Sequence, residues 1–366
     1  MTGTPDPIRV LIVDDSAVIR GALGRIVDAE SDMTVVTTAP NGKVALDALR
    51  HARIDVVLLD VEMPEMDGLT ALPLILAQYP DTRVIMASSL TQRGAEVTMT
   101  ALAMGASDYI AKPAAKSGSA TLAAVSQEIA SKVRAIGRAA RGHRAMPSAT
   151  RAPMPAHTEL LAARTDGAAP RILAIASSTG GPNALADVLS ALPKNFALPI
   201  LITQHMPAVF TLLLAQRLER DSGRSCVEAK DGDLIKPNCT YIAPGDYHMI
   251  VQTNEGQPYV RLTQSEPENY CRPSADPMLR SIAAIYGAST LTVILTGMGE
   301  DGMRGCKDVR LRGGRILVQD EATSVVWGMP GAVVNAGLAA AILPLPAIGP
   351  AIISHCTHTA PGKVAA

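Results

Sequence analysis

Residues 171–181 of the chain read RILAIASSTGG, and this stretch changes character half-way along. Its apolar first half is typical of a buried strand, whereas the small hydroxyl residues and paired glycines that follow are typical of the point where a strand ends. The next segment, PNALADVLSAL (182–192), has its large apolar residues at helical spacing. We therefore predict a strand–turn–helix unit of a parallel sheet, and the carboxyl edge of such a sheet is where ligands and catalytic groups collect.

The composition of the whole chain indicates a globular protein of two domains. The 366 residues are 48% hydrophobic and 18% charged, and the net charge of −1 gives no reason to expect nucleic acid or an anionic membrane as a partner. Five cysteines are dispersed without any Cys-x-x-Cys pair, which favours reduced thiols in the cytosol. Because no signal peptide is visible and no stretch approaches roughly 18 apolar residues, we predict a cytoplasmic protein with no direct membrane insertion.

Short apolar strands alternate with helical patterns along two parts of the chain. Residues 8–113 hold five such strands, and a second series begins at residue 171. Between them lies a helical segment followed by a stretch rich in Pro, Ala, Gly and Arg, which we interpret as a linker. Residues 226–251 carry turn dipeptides and short strands in place of helical spacing, so we predict an antiparallel insertion there.

The predicted fold class is therefore α/β, with two doubly wound parallel-sheet domains. The first is five-stranded, and the second is larger and contains the antiparallel insertion. We predict the first domain over residues 1–125, a helix end and flexible linker over 126–169, the second domain over 170–358 and a tail over 359–366.

Charged and hydroxyl side chains stand at the strand ends of the first domain. Asp14 and Asp15 follow the first strand, Asp60 ends the third, Ser88 closes the fourth and Lys112 follows the fifth. Because the carboxyl ends of parallel strands meet at one edge, three carboxylates should crowd into one pocket. Such crowding is unfavourable unless a divalent cation or a proton offsets the charge.

The first domain resembles the receiver domain of two-component response regulators, through the motifs VDDS, LLDVEMPEMDG, MASSL and DYIAKP in that order. The resemblance implies that Asp60 accepts a phosphoryl group from a histidine kinase. The Mg²⁺ ligands that it implies are Asp15, Asp60 and the backbone carbonyl of Glu62, with Asp14 in support. It also implies that Ser88 and Lys112 contact the phosphoryl oxygens, and that the peptide bond between Lys112 and Pro113 is cis.

Three interpretations compete for the ASSTGG stretch (176–181). A phosphate cradle is weakly supported, because neither G-x-x-x-x-G-K-[ST] nor G-x-G-x-x-G is present. A purely structural turn is open to any run of small residues. A nucleophilic serine needs a base and an orienting acid, and His205 in QHMP and Asp301 in GMGEDG both follow predicted strands. Ser178, His205 and Asp301 could therefore form a catalytic triad at one sheet edge, and the residues alone leave this choice open against the structural turn.

The second domain resembles the catalytic domain of the chemotaxis protein-glutamate methylesterases. The motifs that carry the resemblance are IASSTGGP, QHMP, YIAPGDYHM, CRPSADPM, LTGMGEDG and QDEATSVVWGMPGA. It implies that Ser178 is the nucleophile, His205 the base and Asp301 the orienting acid, with no cofactor for the hydrolytic step. Ser177 stands where the family usually has alanine. Oxyanion donors would come from backbone amides at these residues: Thr179, Gly180, Gly181 and Met298.

With both resemblances together, we expect a phosphorylation-regulated hydrolase in chemotactic adaptation. It would demethylate γ-glutamyl methyl esters and deamidate glutamines on chemoreceptors, with a chemotaxis histidine kinase as phosphodonor. The same chemistry in a non-motility chemosensory pathway is the alternative.

Two rival functions fit the sequence less well. A DNA-binding regulator needs a compact helical output module with a basic helix, which the near-neutral second domain lacks. A regulator that acts by binding alone is disfavoured by the presence of all three triad residues. The roles of Ser177, His248 and Arg272 stay open.

Overall fold

The computed structural model describes residues 6–89, 91–113, 119–145 and 168–357. The chain divides into two compact units, Met1–Ala149 and Thr150–Ala366. Each unit contains a parallel sheet with helices.

The first unit is built on a five-stranded parallel sheet with the strand order β2-β1-β3-β4-β5. Its strands are β1 (Ile8–Val13), β2 (Met33–Ala39), β3 (Val56–Asp60), β4 (Arg83–Ser88) and β5 (Asp108–Ala111). Its helices are α1 (Ala17–Asp28), α2 (Gly42–His51), α3 (Gly68–Gln78), α4 (Gln92–Ala103) and α5 (Ser119–Ala145). The five apolar runs predicted as strands are all confirmed.

The helices of this unit begin at short polar residues, as local chemistry requires. Ser16, Asn41, Asp67 and Thr91 precede α1 to α4, and each side chain accepts a hydrogen bond from a backbone N–H of the first turn. These bonds satisfy donors that have no partner inside a helix. Three of these helices, α1, α3 and α4, follow the strands that end near Asp14, Asp60 and Ser88.

The last helix, α5, packs on the first sheet well beyond the point where the sequence suggested that this domain ends. Ile129, Val133 and Ile136 are buried, and the helix contacts β1 and α1. Further along, Arg141 pairs with the buried carboxylate of Asp55 at 2.5 Å. Residues 146–167 of the predicted linker segment and the predicted tail (359–366) lie outside the described residues, so the boundaries of the four predicted segments stay predictions.

The second unit contains a seven-stranded parallel sheet with the order β14-β13-β12-β6-β7-β9-β8. Its strands are β6 (Ile172–Ser177), β7 (Ile200–Gln204), β8 (Ser225–Glu228), β9 (Cys239–Ile242), β12 (Thr290–Ile294), β13 (Arg315–Gln319) and β14 (Ala341–Leu343). Its helices are α6 (Gly181–Ser190), α7 (Ala208–Ser222), α8 (Ala275–Tyr286), α9 (Met303–Leu311), α10 (Gly328–Asn335) and α11 (Leu345–Thr357). The predicted α/β class with two parallel-sheet domains is confirmed.

The predicted antiparallel insertion is smaller than the sequence suggested. Only the hairpin of β10 (His248–Asn254) and β11 (Gln257–Thr263) is antiparallel among the strands of the described part of this unit. The first part of the stretch, β8 and β9, extends the parallel sheet. The turn-rich loop between them bonds to the hairpin, since Gly232 N donates to Val260 O at 2.8 Å. Turn dipeptides therefore marked a crossover loop there, which sequence spacing does not distinguish from a hairpin turn.

In each sheet the strand order reverses next to the strand that comes first in that unit, β1 or β6. In the first unit the reversal lies between β1 and β3, and in the second it lies between β6 and β12. Because the connections leave in opposite directions there, the loops at the carboxyl ends separate and leave a crevice for ligands. Among the described helices, none is long and apolar enough to cross a membrane.

One expectation for the first unit is wrong. The cis peptide bond found among the described residues joins Arg272 to Pro273, and the bond between Lys112 and Pro113 is not cis. Lys112 nevertheless reaches the acidic edge, with Nζ 2.7 Å from Asp60 Oδ1, so this contact does not depend on the cis form.

Candidate active site

Ser178 and His205 lie side by side at the carboxyl edge of the second sheet. Ser177 and Gln204 are paired in register as the last residues of β6 and β7, and His205 N donates to Ser177 O at 3.1 Å. On the other side of β6, Ser178 N donates to Thr296 O at 3.0 Å. The turn that begins at Ser178 is therefore held by backbone bonds from both neighbouring strands.

His205 and Asp301 form the most direct contact of the site. His205 Nε2 lies 2.7 Å from Asp301 Oδ2, and Asp301 is buried. The other ring nitrogen, Nδ1, lies 3.6 Å from Cys271 Sγ. The base and the orienting acid predicted from the sequence are thus brought together, and Nδ1 is the nitrogen left to exchange a proton.

Six groups donate hydrogen bonds to the Asp301 carboxylate. Oδ2 accepts from the His205 ring and from Ala275 N at 2.6 Å. Oδ1 accepts from four further donors: Asn269 Nδ2 at 2.7 Å, Ser274 Oγ at 2.6 Å, Asp276 N at 3.3 Å and Gly302 N at 2.9 Å. The N-terminus of α8 therefore points at Asp301, where its unsatisfied N–H groups and its dipole stabilise a negative charge.

The ionisation of this pair follows from these contacts. Burial disfavours a charged Asp301, but the hydrogen bonds and charge of His205, with those of Ser274 and Ala275, hold the pKa of the carboxyl well below its usual range. Burial likewise disfavours an imidazolium at His205, but the bond to Asp301 and the contact with Cys271 raise the pKa of the ring above its usual value. Asp301 is thus kept as a carboxylate, and it stabilises the imidazolium that forms when His205 takes up a proton.

The structure does not join Ser178 to the histidine ring. Ser178 is half-buried, and the hydrogen bonds of the described residues include none from Ser178 Oγ to His205. In enzymes without bound substrate such bonds are often long and tighten only in the reactive complex. Neighbouring strand register places the two residues together, and the assignment of Ser178 stays a prediction.

Ser177 and Gln204 form a buried network beneath the turn. Ser177 Oγ donates to Gln204 Oε1 at 2.6 Å, and Gln204 Nε2 donates to the carbonyls of Ser178 at 2.9 Å and His205 at 3.1 Å. A Cβ at Gly181 would collide with Gln204 Oε1, so glycine is required there. The hydroxyl of Ser177 is therefore engaged in positioning, and one amide group ties the two candidate catalytic peptides together.

The proposed oxyanion donors are not equivalent. Gly181 N already donates to Ser178 O at 2.8 Å, so its N–H is not available to a bound oxyanion in this structure. Gly180 has a φ of 77°, the left-handed conformation that favours glycine. The role of oxyanion donor stays a prediction for the backbone N–H groups of Thr179, Gly180 and Met298. The carbonyl of Thr179 accepts a hydrogen bond from Thr296 Oγ1 at 2.9 Å.

His248 and Arg272, whose roles the sequence did not decide, hold loops in place. His248 is buried, and its Nδ1 accepts from Ser274 N at 3.1 Å while its Nε2 lies 3.1 Å from Glu266 O. Arg272 pairs with Asp246 at 2.7 Å and also bonds to the carbonyl of Ser265. Both side chains fix the segment that leads into α8.

A second cluster lies at the carboxyl edge of the first sheet. Carboxylate oxygens of Asp14, Asp15 and Asp60 lie within 4.8 Å of one another. Lys112 Nζ lies 2.7 Å from Asp60 Oδ1 and 2.9 Å from Asp14 Oδ2. Burial raises the pKa of Asp60 above its usual value, Lys112 opposes this effect and the charge of Asp14 adds to it.

This donor set fits a magnesium ion. Mg²⁺ prefers oxygen ligands and is often held by one or two carboxylates together with phosphate oxygens. Here Lys112 supplies one positive charge against three closely spaced carboxylates, so a divalent cation would balance the remaining charge. The sequence prediction of an acidic pocket at this edge agrees with the geometry.

The other residues expected at this edge have partners elsewhere in the present structure. Ser88 Oγ lies 3.2 Å from the carbonyls of Ser89 and Gly94, and the Glu62 side chain pairs with Arg93 at the surface. The contact of Ser88 with a phosphoryl group and the role of the Glu62 carbonyl stay predictions.

Comparisons with known proteins agree with this organisation. The family described as CheB methylesterase matches residues 173–352, and the family described as response regulator receiver domain matches residues 10–122. An Azospirillum brasilense protein named "Protein-glutamate methylesterase/protein-glutamine glutaminase" is 47% identical in an alignment of 371 residues, gaps included. The alignment covers 97% of this chain and 94% of the relative. The chain belongs to this methylesterase/glutaminase family.

Other members of the family give the same result. A Caulobacter vibrioides protein, "Protein-glutamate methylesterase/protein-glutamine glutaminase 2", is 50% identical over 357 residues, which cover 96% of this chain and all of the relative (100%). The crystal structure of the Thermotoga maritima CheB methylesterase catalytic domain has a TM-score of 0.50 at 42% identity, and it covers 51% of this chain and 98% of its own. The expected family and the parallel-sheet architecture are both confirmed.

Sequence reasoning missed several residues that shape this methylesterase-family site. Gln204 stood in the quoted QHMP motif without a role, and Asn269 carried no signal at all. Ser274 was detectable, because a serine immediately before a helical pattern is a typical helix start. Its side chain, however, bonds to Asp301 and not to its own helix.

Replacing Asp301 by Asn should lower the pKa of the His205 imidazole, because the negative charge that favours the imidazolium is removed. In the unmodified protein the ring should stay protonated to a higher pH than an ordinary histidine. The measurement is an NMR titration of the His205 ring, identified by its loss in His205→Gln. Asp231→Asn, which removes a partly exposed carboxylate paired with Arg261, should leave the titration unchanged. An unaltered His205 titration in Asp301→Asn would contradict the electrostatic assignment.

Proposed function

We propose that this chain hydrolyses γ-glutamyl methyl esters and deamidates glutamines on chemoreceptor proteins, with Ser178, His205 and Asp301 as the catalytic triad. The observation that carries the proposal is the 2.7 Å contact between His205 and the buried Asp301, directly beside the turn that holds Ser178. The names of the full-length relatives supply the reaction and the amino acids acted on. The comparisons give no support to the alternative that the same chemistry acts in a non-motility chemosensory pathway.

The first half of the proposed reaction forms an acyl-enzyme. Ser178 Oγ attacks the ester carbonyl carbon, and the carbonyl electron pair moves onto its oxygen. In its neutral form, with the ring proton on Nε2 directed at Asp301, His205 accepts the hydroxyl proton at Nδ1, and the carboxylate stabilises the imidazolium that results. When the tetrahedral intermediate collapses, the bond to the methoxy oxygen breaks, His205 returns the proton to it and methanol leaves.

The second half restores the enzyme. A water molecule loses a proton to His205 as its oxygen attacks the glutamyl ester on Ser178. The bond to Ser178 Oγ then breaks, His205 returns the proton to Oγ, and the products are a glutamate side chain and free Ser178. A glutamine amide passes through the same type of intermediate, with ammonia as the leaving group. Backbone amides near Thr179 and Met298 would stabilise the oxyanion in both steps.

The first unit supports a role in regulation. Asp60 is the proposed acceptor of a phosphoryl group from a chemotaxis histidine kinase. Asp15, Asp60 and the backbone carbonyl of Glu62 would hold Mg²⁺, with Asp14 in support. The bound ion would offset the charge that develops on the transferred group. Lys112 already contacts Asp60, so it stands where it can bind a phosphoryl oxygen on that carboxylate.

Ser178→Ala should lower methanol release from methylated receptor membranes by at least about 10³-fold, because a triad without its nucleophile retains only binding and oxyanion effects. Ser177→Ala should keep most of the activity, because Ser177 Oγ is bonded to Gln204 and not to the base. Circular dichroism of both variants checks that they fold. Similar losses in the two variants would refute the choice of nucleophile.

A small phosphodonor with Mg²⁺ should label the wild-type protein and stimulate methanol release, and Asp60→Asn should abolish both effects. Asp15→Asn should weaken Mg²⁺ binding, since one of three carboxylates is lost, and its labelling should recover as Mg²⁺ is raised. Labelling is followed by phosphate incorporation into the intact protein. Normal labelling of Asp60→Asn would show that the phosphoryl acceptor lies elsewhere.

A further inference from the structure

Tyr270 carries an exposed aromatic side chain at the rim of the candidate active site. Its relative exposure is 103%, so the ring is fully in solvent. Both of its neighbours contact the catalytic pair: Asn269 Nδ2 lies 2.7 Å from Asp301 Oδ1, and Cys271 Sγ lies 3.6 Å from His205 Nδ1. Consecutive Cα atoms are about 3.8 Å apart, so the position of Tyr270 is fixed relative to the base.

The backbone at Tyr270 is unfavourable for such a residue. Cys271 N donates to Glu268 O at 2.9 Å and closes a four-residue turn. The central residues, Asn269 and Tyr270, have φ values of 51° and 62°, the signs found in a type I′ turn. Asn is well suited to the first central position and Gly to the second, yet a bulky tyrosine occupies the second.

The fold gains nothing evident from the tyrosine. Among the residues that the structure describes, none forms a hydrogen bond or ion pair with the Tyr270 side chain, and the ring buries no apolar surface. The turn itself is secured by other groups, since Glu268 pairs with Arg280 at 2.5 Å and Asn269 also bonds to Asp276 at 2.9 Å. Tyrosine is enriched among the residues that dominate binding energy in protein interfaces, so an exposed ring at a strained position beside a reactive site is suited to contact a partner.

We propose that Tyr270 is a substrate-recognition residue whose ring packs against the receptor surface next to the glutamyl group. This inference rests on the proposed function. A protein side chain that reaches Ser178 and His205 brings its flanking residues against the rim that the turn of Glu268–Cys271 forms. Tyrosine supplies a large apolar contact with few rotatable bonds, so little conformational entropy is lost when it binds.

Tyr270→Gly separates recognition from stability. Glycine is the favoured residue at this turn position, so the variant should have a melting temperature at least as high as the wild type. Its KM for methylated receptor membranes should rise by about 10-fold, because truncation of a contact tyrosine commonly has an effect of this size. Its kcat should stay within about twofold of the wild-type value, because the His205–Asp301 pair is untouched.

Two matched variants complete the experiment. Tyr270→Phe keeps the ring and should retain the wild-type KM. Leu311→Ala removes another exposed apolar side chain, 84% exposed at the far end of α9, and should leave KM unchanged. Cosedimentation with the same membranes, in a Ser178→Ala background, should show weaker binding for Tyr270→Gly without any turnover.

Different outcomes would contradict the recognition role of Tyr270 and the proposed function of the chain. An unchanged KM and unchanged cosedimentation in Tyr270→Gly, with an active wild-type protein, would overturn the recognition role alone. A fall in kcat at constant KM would also overturn it, because the turn would then act by positioning the base. If the wild-type protein released no methanol from receptor membranes, the proposed function would fail and the inference with it.

Discussion

A buried carboxylate is the constraint on which the second unit depends. An isolated charge inside a protein is strongly unfavourable unless it is paired and hydrogen-bonded, and Asp301 meets this requirement with six donors. These donors come from β7's end, the turn at Asn269, the start of α8 and the start of α9. Satisfying one charge therefore fixes the relative positions of the base, the exposed turn and two helices.

The two units place their sites at the same kind of sheet edge but differ in electrostatics. Each places its acidic residues at the crevice where the strand order reverses. In the second unit the carboxylate is saturated with donors, so it stays ionised and orients a histidine. In the first unit three carboxylates lie close together and Lys112 contacts two of them, Asp14 and Asp60, so the remaining negative charge suits a divalent cation and a transferable phosphoryl group. Parallel-sheet architecture thus supplies the location, and the local balance of donors and charges decides the chemistry.

The sequence predicted what depends on periodicity and on strand ends. Apolar runs gave the strands, and polar residues after them gave Asp60, Lys112, His205 and Asp301 at two sheet edges. What escaped depends on contacts between residues distant in sequence. The bond from Asn269 to Asp301 spans 32 positions, and no local pattern marks it. The parallel placement of β8 and β9 escaped for a similar reason, because turn residues indicate that the chain bends and not where the next strand pairs.

The role proposed for Asp301 is to hold His205 as the base that activates Ser178. Its most direct test is peptide mapping by mass spectrometry after reaction with a serine-directed fluorophosphonate. We predict a single adduct on Ser178, formed at least about 10²-fold more slowly in Asp301→Asn because the histidine is no longer oriented and electrostatically supported. An adduct on Ser177, or equal labelling rates in the wild type and Asp301→Asn, would contradict the claim.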